Sequence, residues 1–521
     1  MAKKATAKKQ KSMEETLWDS ANKLRGTVES SEYKHVVLGL IFLKFVSDKF
    51  EERRKEMIAD GEQDFLEMKE FYASKNVFFL PEESRWSYII KNGKQDDIAL
   101  KIDTALHTIE KNNPTLKGAL PDNYFSRLNL DVSKLSALLD TINDINTIKD
   151  KKVDIIGKIY QYFLKKFAIA EGKGKGEFYT PDSIVNLIAE MIEPFKGIIY
   201  DPACGSGGMF VQSIKFIESH HGNKKEVSIY GQEYTSATHK LAKMNLAIRG
   251  IAANFGAVPA DTFGKDQHKD LKADYIMANP PFNQKDWRAA DELTDDPRWA
   301  GYDTPPKSNA NYAWILNMVS KLSQNGVAGF ILANGALSGG GEEYKIRKQL
   351  IENNLVEAIV ILPRNMFYTT DISVTLWILN HNKTERVVEL PDETRNYRLR
   401  EEEILFMDLR QEGEPFEKKY IQFNEEHISK FAATYHDWQQ NSDFENVPEY
   451  CYGATKTEVA AKDYSLVPSK YIEFVNRDEN IDFDTKMTTL QTEFSELLEA
   501  EEKSKADLLN VFKELGYEVK L

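Results

Sequence analysis

Asn279-Pro280-Pro281-Phe282 sets an amide, two backbone-locking rings and a flat aromatic face side by side. The segment follows an apolar run, Tyr275 to Ala278, with the look of a short strand. Proline cannot continue a central strand, so the pair ends it and fixes a rigid, exposed turn. The asparagine is then held at the carboxyl edge of a sheet, where open α/β folds bind their ligands. Its amide oxygen and the Pro280 carbonyl can both accept hydrogen bonds from an exocyclic NH2 group. Phe282 offers a surface for a base drawn out of its stack. A merely structural proline-rich strand exit does not call for this combination.

Upstream, Asp201-Pro202-Ala203-Cys204-Gly205-Ser206-Gly207-Gly208 follows another strand-like run, Gly197 to Tyr200. Glycines at a strand-to-helix turn let a ligand approach the backbone and the helix N-terminal amides. The pattern is neither G-x-G-x-x-G nor a Walker phosphate cradle, because an acid and a proline lead it and no G-K-[ST] follows. An acid there suits a cationic ligand better than a pyrophosphate, and S-adenosylmethionine carries an ammonium and a sulfonium. Glu233 sits at the tip of the run Val227 to Tyr230, where a carboxylate can accept both ribose hydroxyls of an adenosyl group. In isolation it would be an ordinary surface acid.

The elements that position these residues change character along the chain. Residues 1–11 are Lys- and Ala-rich and read as a disordered tail. Ser12 and Glu15 form a capping box for a helix through Leu17, Trp18, Ala21 and Leu24 that Gly26 ends. Tyr33 to Phe50 reads as a buried helix, and helical spacing returns at Leu135, Leu138, Leu139 and Ile142 and from Val153 to Phe167. Residues 12–170 are therefore predicted to be a helical domain. Gly172-Lys173-Gly174-Lys175-Gly176 is a basic hinge. Beyond it β-rich runs alternate with helical stretches, adding Ala328 to Leu332, Ala358 to Leu362 and Val374 to Leu379 to those above. The alternation predicts a mostly parallel sheet. The last two runs are too close for a helical crossover, so the final strand is expected to be antiparallel. From about 380 to 480 the chain is charged and irregular, an accessory region of the domain spanning 171–480. In 481–521, Met487, Leu490, Phe494, Leu497, Leu508, Val511 and Leu515 make a heptad seam, interrupted by Glu501 and Ser504. It fits equally a helix folded on its own domain and one docked on a partner.

These motifs together resemble the amino-methyltransferases, and the whole chain resembles the modification subunit of type I restriction-modification systems. Gly176-Glu177-Phe178-Tyr179-Thr180-Pro181, followed by Asp182, is similar to the cofactor motif that precedes the glycine turn in this family. Tyr464-Ser465-Leu466-Val467-Pro468-Ser469-Lys470-Tyr471 resembles its C-terminal segment, and Asp261 resembles the acid that contacts the cofactor's adenine. The resemblance implies an α/β, Rossmann-like methyltransferase domain, preceded by the helical domain and followed by a C-terminal helix. It implies S-adenosylmethionine held by Glu177 to Asp182, Asp201, Ala203, Gly205 to Gly208, Glu233 and Asp261, with no metal. Asn279, Pro280, Pro281 and Phe282 would act on the N6 amine of a flipped adenine in duplex DNA. The implied partners are a DNA-reading specificity subunit, a second copy of this chain and a motor-nuclease restriction subunit.

Composition bounds these readings. At 521 residues the chain suggests two to three domains, and at 41% hydrophobic it can bury sizeable cores. Cys204 and Cys451 are too few for a disulfide framework or a zinc site, which fits a reducing, cytoplasmic setting. The most apolar run, His35 to Val46, carries Lys44 and is too short to span a bilayer, and the basic start lacks the apolar stretch of a secretory signal. The net charge of −14 opposes an unaided grip on DNA phosphates. Two competing functions fit part of the pattern: methylation of a protein glutamine amide, and a silent subunit that binds the cofactor structurally. Residues 283–308, with Trp287, Trp299 and Tyr302, fit either a loop that closes on DNA or a packed surface loop.

Overall fold

Apolar stripes at helical spacing build the amino-terminal part, and β-branched runs build a single large sheet after it. The computed structural model describes residues 13–22, 30–128, 130–145, 155–171, 179–368, 370–417, 419–475 and 483–514. The predicted tail, the Ser12 cap, Gly26, the glycine hinge, Glu177, Phe178 and Leu515 lie outside them.

The longer helices are α1 (Met13–Asn22), α2 (Ser30–Ala59), α3 (Ile98–Asn112), α4 (Val132–Asn143), α5 (Ile155–Glu171), α6 (Asp182–Ile192), α7 (Gly208–Ser219), α8 (Ser236–Ala247), α9 (Asn311–Lys321), α10 (Gly341–Glu352), α11 (Glu425–Gln440) and α12 (Phe483–Glu514). Helices α1 to α5 share one core, in which Leu17, Phe42, Leu106, Leu139 and Phe163 are buried. That core also takes in Leu241, Met244 and Ile248. The first two lie on α8, so the helical part is fused by packing to a helix of the sheet region. None of the described helices is long and apolar enough to cross a membrane.

The main sheet has nine strands. They are β1 (Gly197–Asp201), β2 (Val227–Gly231), β3 (Ala253–Asn254), β4 (Ala273–Ala278), β5 (Leu322–Ala333), β6 (Val356–Ile361), β7 (Val374–Asn380), β8 (Glu403–Asp408) and β9 (Cys451–Thr455). Their order across the sheet is β9-β8-β6-β7-β5-β4-β1-β2-β3. Each of the six predicted runs is a strand. As expected, β7 is antiparallel, paired with β5 on one side and β6 on the other.

It is not the final strand, however. Residues beyond 380 do more than pack as an accessory: β8 joins β6 in parallel and β9 closes the edge antiparallel to β8. A buried ion pair ties this extension down. Arg400 Nη2 lies 2.9 Å from Glu357 Oε1, with both side chains at 0% exposure. Asn380 Nδ2 donates to Glu357 Oε2 at 2.5 Å, and Lys383 Nζ donates to the Val356 and Glu403 carbonyls at 2.9 and 2.7 Å. Burial opposes the charge on Glu357, but Arg400 and Lys383 outweigh it and hold the carboxyl below its ordinary value.

Contacts divide the chain into a unit ending at Ile472 and a second starting at Glu473. In the second, α12 is a 32-residue helix with none of its described residues buried. Its seam residues Phe494 and Leu497 are 63% and 67% exposed.

Candidate active site

Three adjacent parallel strands bring the sequence motifs to one edge. In the order β4-β1-β2, Asp201 of β1 pairs with Gly231 of β2, and Tyr200 pairs with Ile276 of β4. The chain therefore leaves β1 into the glycine turn, β2 toward Glu233 and β4 into Asn279, all at carboxyl ends.

Asp201 is buried, and its Oδ1 accepts the Ala203 amide at 2.9 Å. Burial pushes its carboxyl up to about 8, with the neighbouring Glu233 adding to the rise against that amide. Gly205 and Gly207 adopt φ of +53° and +79°, in the left-handed region that favours glycine. A Cβ at Gly205 or Gly208 would meet no atom within 4 Å, so the turn leaves open space above its backbone. The Ser206 carbonyl accepts Asn245 Nδ2 at 2.7 Å, which pins the turn to α8.

Glu233 Oε2 accepts the Gly205 amide at 3.1 Å and Oε1 accepts the Thr235 amide at 2.7 Å. Both carboxylate oxygens are thus turned toward the strand edge that carries the glycine turn. The Ala260 amide donates to the Glu233 carbonyl at 3.0 Å, setting Asp261 at the same edge. Asp261 Oδ2 accepts the Gly264 amide at 2.6 Å. Buried Arg298 holds this segment, donating to the Thr262 and Phe263 carbonyls at 2.8 and 2.7 Å and pairing with Asp296.

Asn279 is 8% exposed, and Pro280 behind it is buried. Asn279 Nδ2 donates to Thr180 Oγ1 at 2.9 Å, whereas Oδ1 is buried with no hydrogen-bond partner among the described residues. Leaving such an acceptor unpaired costs about 1–3 kcal/mol. Phe282 meets Phe367 edge-on, with centroids 6.0 Å apart. Tyr179 donates to Asp182 Oδ1 at 2.7 Å and stacks on Tyr368 at 6.2 Å. Thr180, part of the segment read as a cofactor contact, thus also lies against the asparagine turn. Phe367, Tyr368 and Arg298 were not singled out in the sequence, because each reaches the site from outside the motifs.

The segment after Phe282 is a packed loop. Trp287 Nε1 donates to the Pro306 carbonyl at 2.9 Å, and buried Trp299 donates to the Leu293 carbonyl at 2.7 Å. A separate cavity of about 640 Å³ is lined by Lys69, Asn112, Lys243, Ala253 and Asn254 among others. It contains none of the candidate residues.

The N-6 DNA methylase family matches residues 151–480, and the HsdM N-terminal domain matches residues 13–142. The HindI type I restriction enzyme methylase subunit of Haemophilus influenzae is 42% identical over 82% of this chain and 94% of its own length. This chain belongs to the N-6 DNA methylases, among the methylase subunits of type I restriction enzymes. The MjaIX methylase subunit of Methanocaldococcus jannaschii is another such relative, 36% identical over 97% of this chain and 91% of its own. The fold of the type I methylase subunits is shared with a methyltransferase subunit from Streptococcus thermophilus. That structure superposes with a TM-score of 0.72 at 23% identity, covering 88% of this chain and 99% of the other. Methylation of adenine N6 is the reaction of this methylase family.

Proposed function

We propose that the chain transfers a methyl group from S-adenosylmethionine to the N6 amine of an adenine flipped out of duplex DNA, with sequence specificity supplied by a separate subunit. The observation that carries this reading is Asn279 Oδ1, a buried acceptor without a partner among the described residues, at the strand edge shared by Asp201 and Glu233.

The residues present fit the cofactor. A buried acid pushed up to about 8 is poorly solvated and gains from a cationic partner such as an ammonium. The open space over Gly205 and Gly208 admits a ligand to the backbone, and Glu233 stands beside that turn as the acid that accepts the ribose hydroxyls. Asp261 and the Glu177–Asp182 segment complete the cofactor contacts in this reading. When bound, S-adenosylmethionine supplies a methyl group already activated by its sulfonium, with a neutral leaving group. The protein's task is then chiefly alignment, which can contribute about 7–11 kcal/mol in favourable cases. Asn279 Oδ1 and the Pro280 carbonyl accept the two N6 hydrogens. Their pull takes the nitrogen lone pair out of ring conjugation and makes it more nucleophilic. Phe282 supports the extruded ring, and the methylated nitrogen, cationic and strongly acidic, gives up its extra proton to water without a strong general base.

Charge argues that the chain works with partners, and the resemblance to type I modification subunits implies which. With a net charge of −14 the chain is ill suited to hold phosphates alone, and the turn at Asn279 recognises only the base inserted in it. A specificity subunit, a second copy of this chain and, for restriction, a motor-nuclease subunit complete the assembly. The test is to incubate unmethylated DNA and labelled cofactor with the chain alone and with its co-purified partners, then separate the nucleosides. N6-methyladenine formed by the assembly is the expected product. Label appearing in a protein glutamine and not in adenine overturns the reading.

A further inference from the structure

We infer that Thr180 is a positioning residue for methyl transfer, holding the Asn279 amide so that its oxygen faces the target amine. The inference rests on the role of Asn279 proposed above and gives Thr180 a role toward the target amine in addition to its place in the cofactor segment.

The contact is specific. Asn279 Nδ2 donates to Thr180 Oγ1 at 2.9 Å, across 99 positions of sequence. An asparagine side chain ends in two groups of nearly equal size and opposite hydrogen-bonding character. Anchoring the nitrogen directs the oxygen the other way, and here that oxygen is the buried atom without a partner among the described residues. Thr180 itself has little freedom. On one side, Tyr179 is stacked on Tyr368 with ring planes 18° apart, and its hydroxyl is bonded to Asp182. On the other, Pro181 has φ of −57° and leads directly into α6, whose inner face is buried under the sheet. A residue before proline is confined to extended conformations. The threonine hydroxyl is therefore a fixed post, built from α6 and the aromatic pair, against which the amide plane is set. Because the hydroxyl accepts from the amide nitrogen, it also polarises the amide and strengthens its oxygen as an acceptor.

Thr180→Val keeps the shape and removes the acceptor, whereas Thr180→Ser keeps the acceptor. Single-turnover methylation by the co-purified assembly on unmethylated genomic DNA, at saturating S-adenosylmethionine, is compared with calorimetric cofactor binding. Thr180→Val is expected to slow transfer by about tenfold or more with the cofactor saturating, so that the loss is not one of cofactor affinity, and Thr180→Ser to restore most of the rate. Thr180→Ala carries the same expectation as the valine variant should that variant misfold. A wild-type rate in Thr180→Val, an equal loss in the serine variant, or a loss confined to cofactor affinity overturns the inference while leaving Asn279 in place. Asn279→Ala, run in parallel, separates the two: if it transfers methyl groups normally, the amine reading fails and the inference with it.

Discussion

Glu233 Oε2 accepts the Gly205 amide at 3.1 Å, so the carboxylate at the end of β2 braces the glycine turn that leaves β1. In the proposed site the same group accepts ribose hydroxyls, and one side chain shapes the turn and binds what lies on it. Charged hydrogen bonds contribute roughly 1.5–3 kcal/mol each. Glu233→Ala should weaken S-adenosylmethionine binding by at least about tenfold. Calorimetry reads this directly, and an unchanged dissociation constant would move the ribose contact elsewhere.

Asp201 makes cofactor binding depend on pH. Its carboxyl is pushed up to about 8 by burial, so in the ligand-free chain it is largely protonated below that value. A cationic ligand favours the ionised form. Affinity should therefore rise with pH, by at most about tenfold per unit, and level off above the folded value. The ligand-free chain should show the opposite trend in stability. Its folded carboxyl holds a proton that the unfolded one has released, so stability falls as pH rises from the ordinary carboxylate range to about 8. Asp201→Asn should flatten both profiles, as titration calorimetry and thermal melts across this range would show.

The Glu357–Arg400 pair should be expensive to break singly. Arg400→Met leaves a carboxylate at 0% exposure without its main partner, and such losses typically cost about 3–5 kcal/mol. Glu357 is held below its ordinary value, so the pair's contribution is full above that value and is lost as pH falls through the folded one. Urea denaturation followed by tryptophan emission, for Arg400→Met and for a variant with both residues apolar, checks this. The double variant should recover most of the loss.

The sheet centre and the three motifs were legible because runs such as Tyr275 to Ala278 are apolar, short and bounded by proline or glycine. The sheet's edges were not. Ala253–Asn254 has only two residues and no period to detect. Glu403–Asp408 carries acids at both ends within a charged stretch, and Cys451–Thr455 contains a glycine. Both are strands because of the ladders they complete, a tertiary cause that local pattern does not carry. The Thr180–Asn279 contact was hidden for a related reason: nothing in either motif states that α6 carries one to the other.

The seam of α12 predicts a separable function. Because none of its described residues is buried, deletion of residues 481–521 should leave cofactor binding intact and impair assembly with the specificity subunit. Size-exclusion chromatography of the mixed subunits measures this. A truncated chain that aggregates by itself would show that the helix serves the chain's own fold.

The most direct test of the proposed site is Asn279→Ala in the assembled enzyme, assayed for tritiated methyl transfer to DNA beside calorimetry with S-adenosylmethionine. Asn279 Oδ1 is aimed at the target amine in this account, and the cofactor is held by other groups. Transfer should be abolished while the cofactor dissociation constant stays close to that of the unaltered chain. A variant that retains most of its methylation rate would contradict the account at its centre.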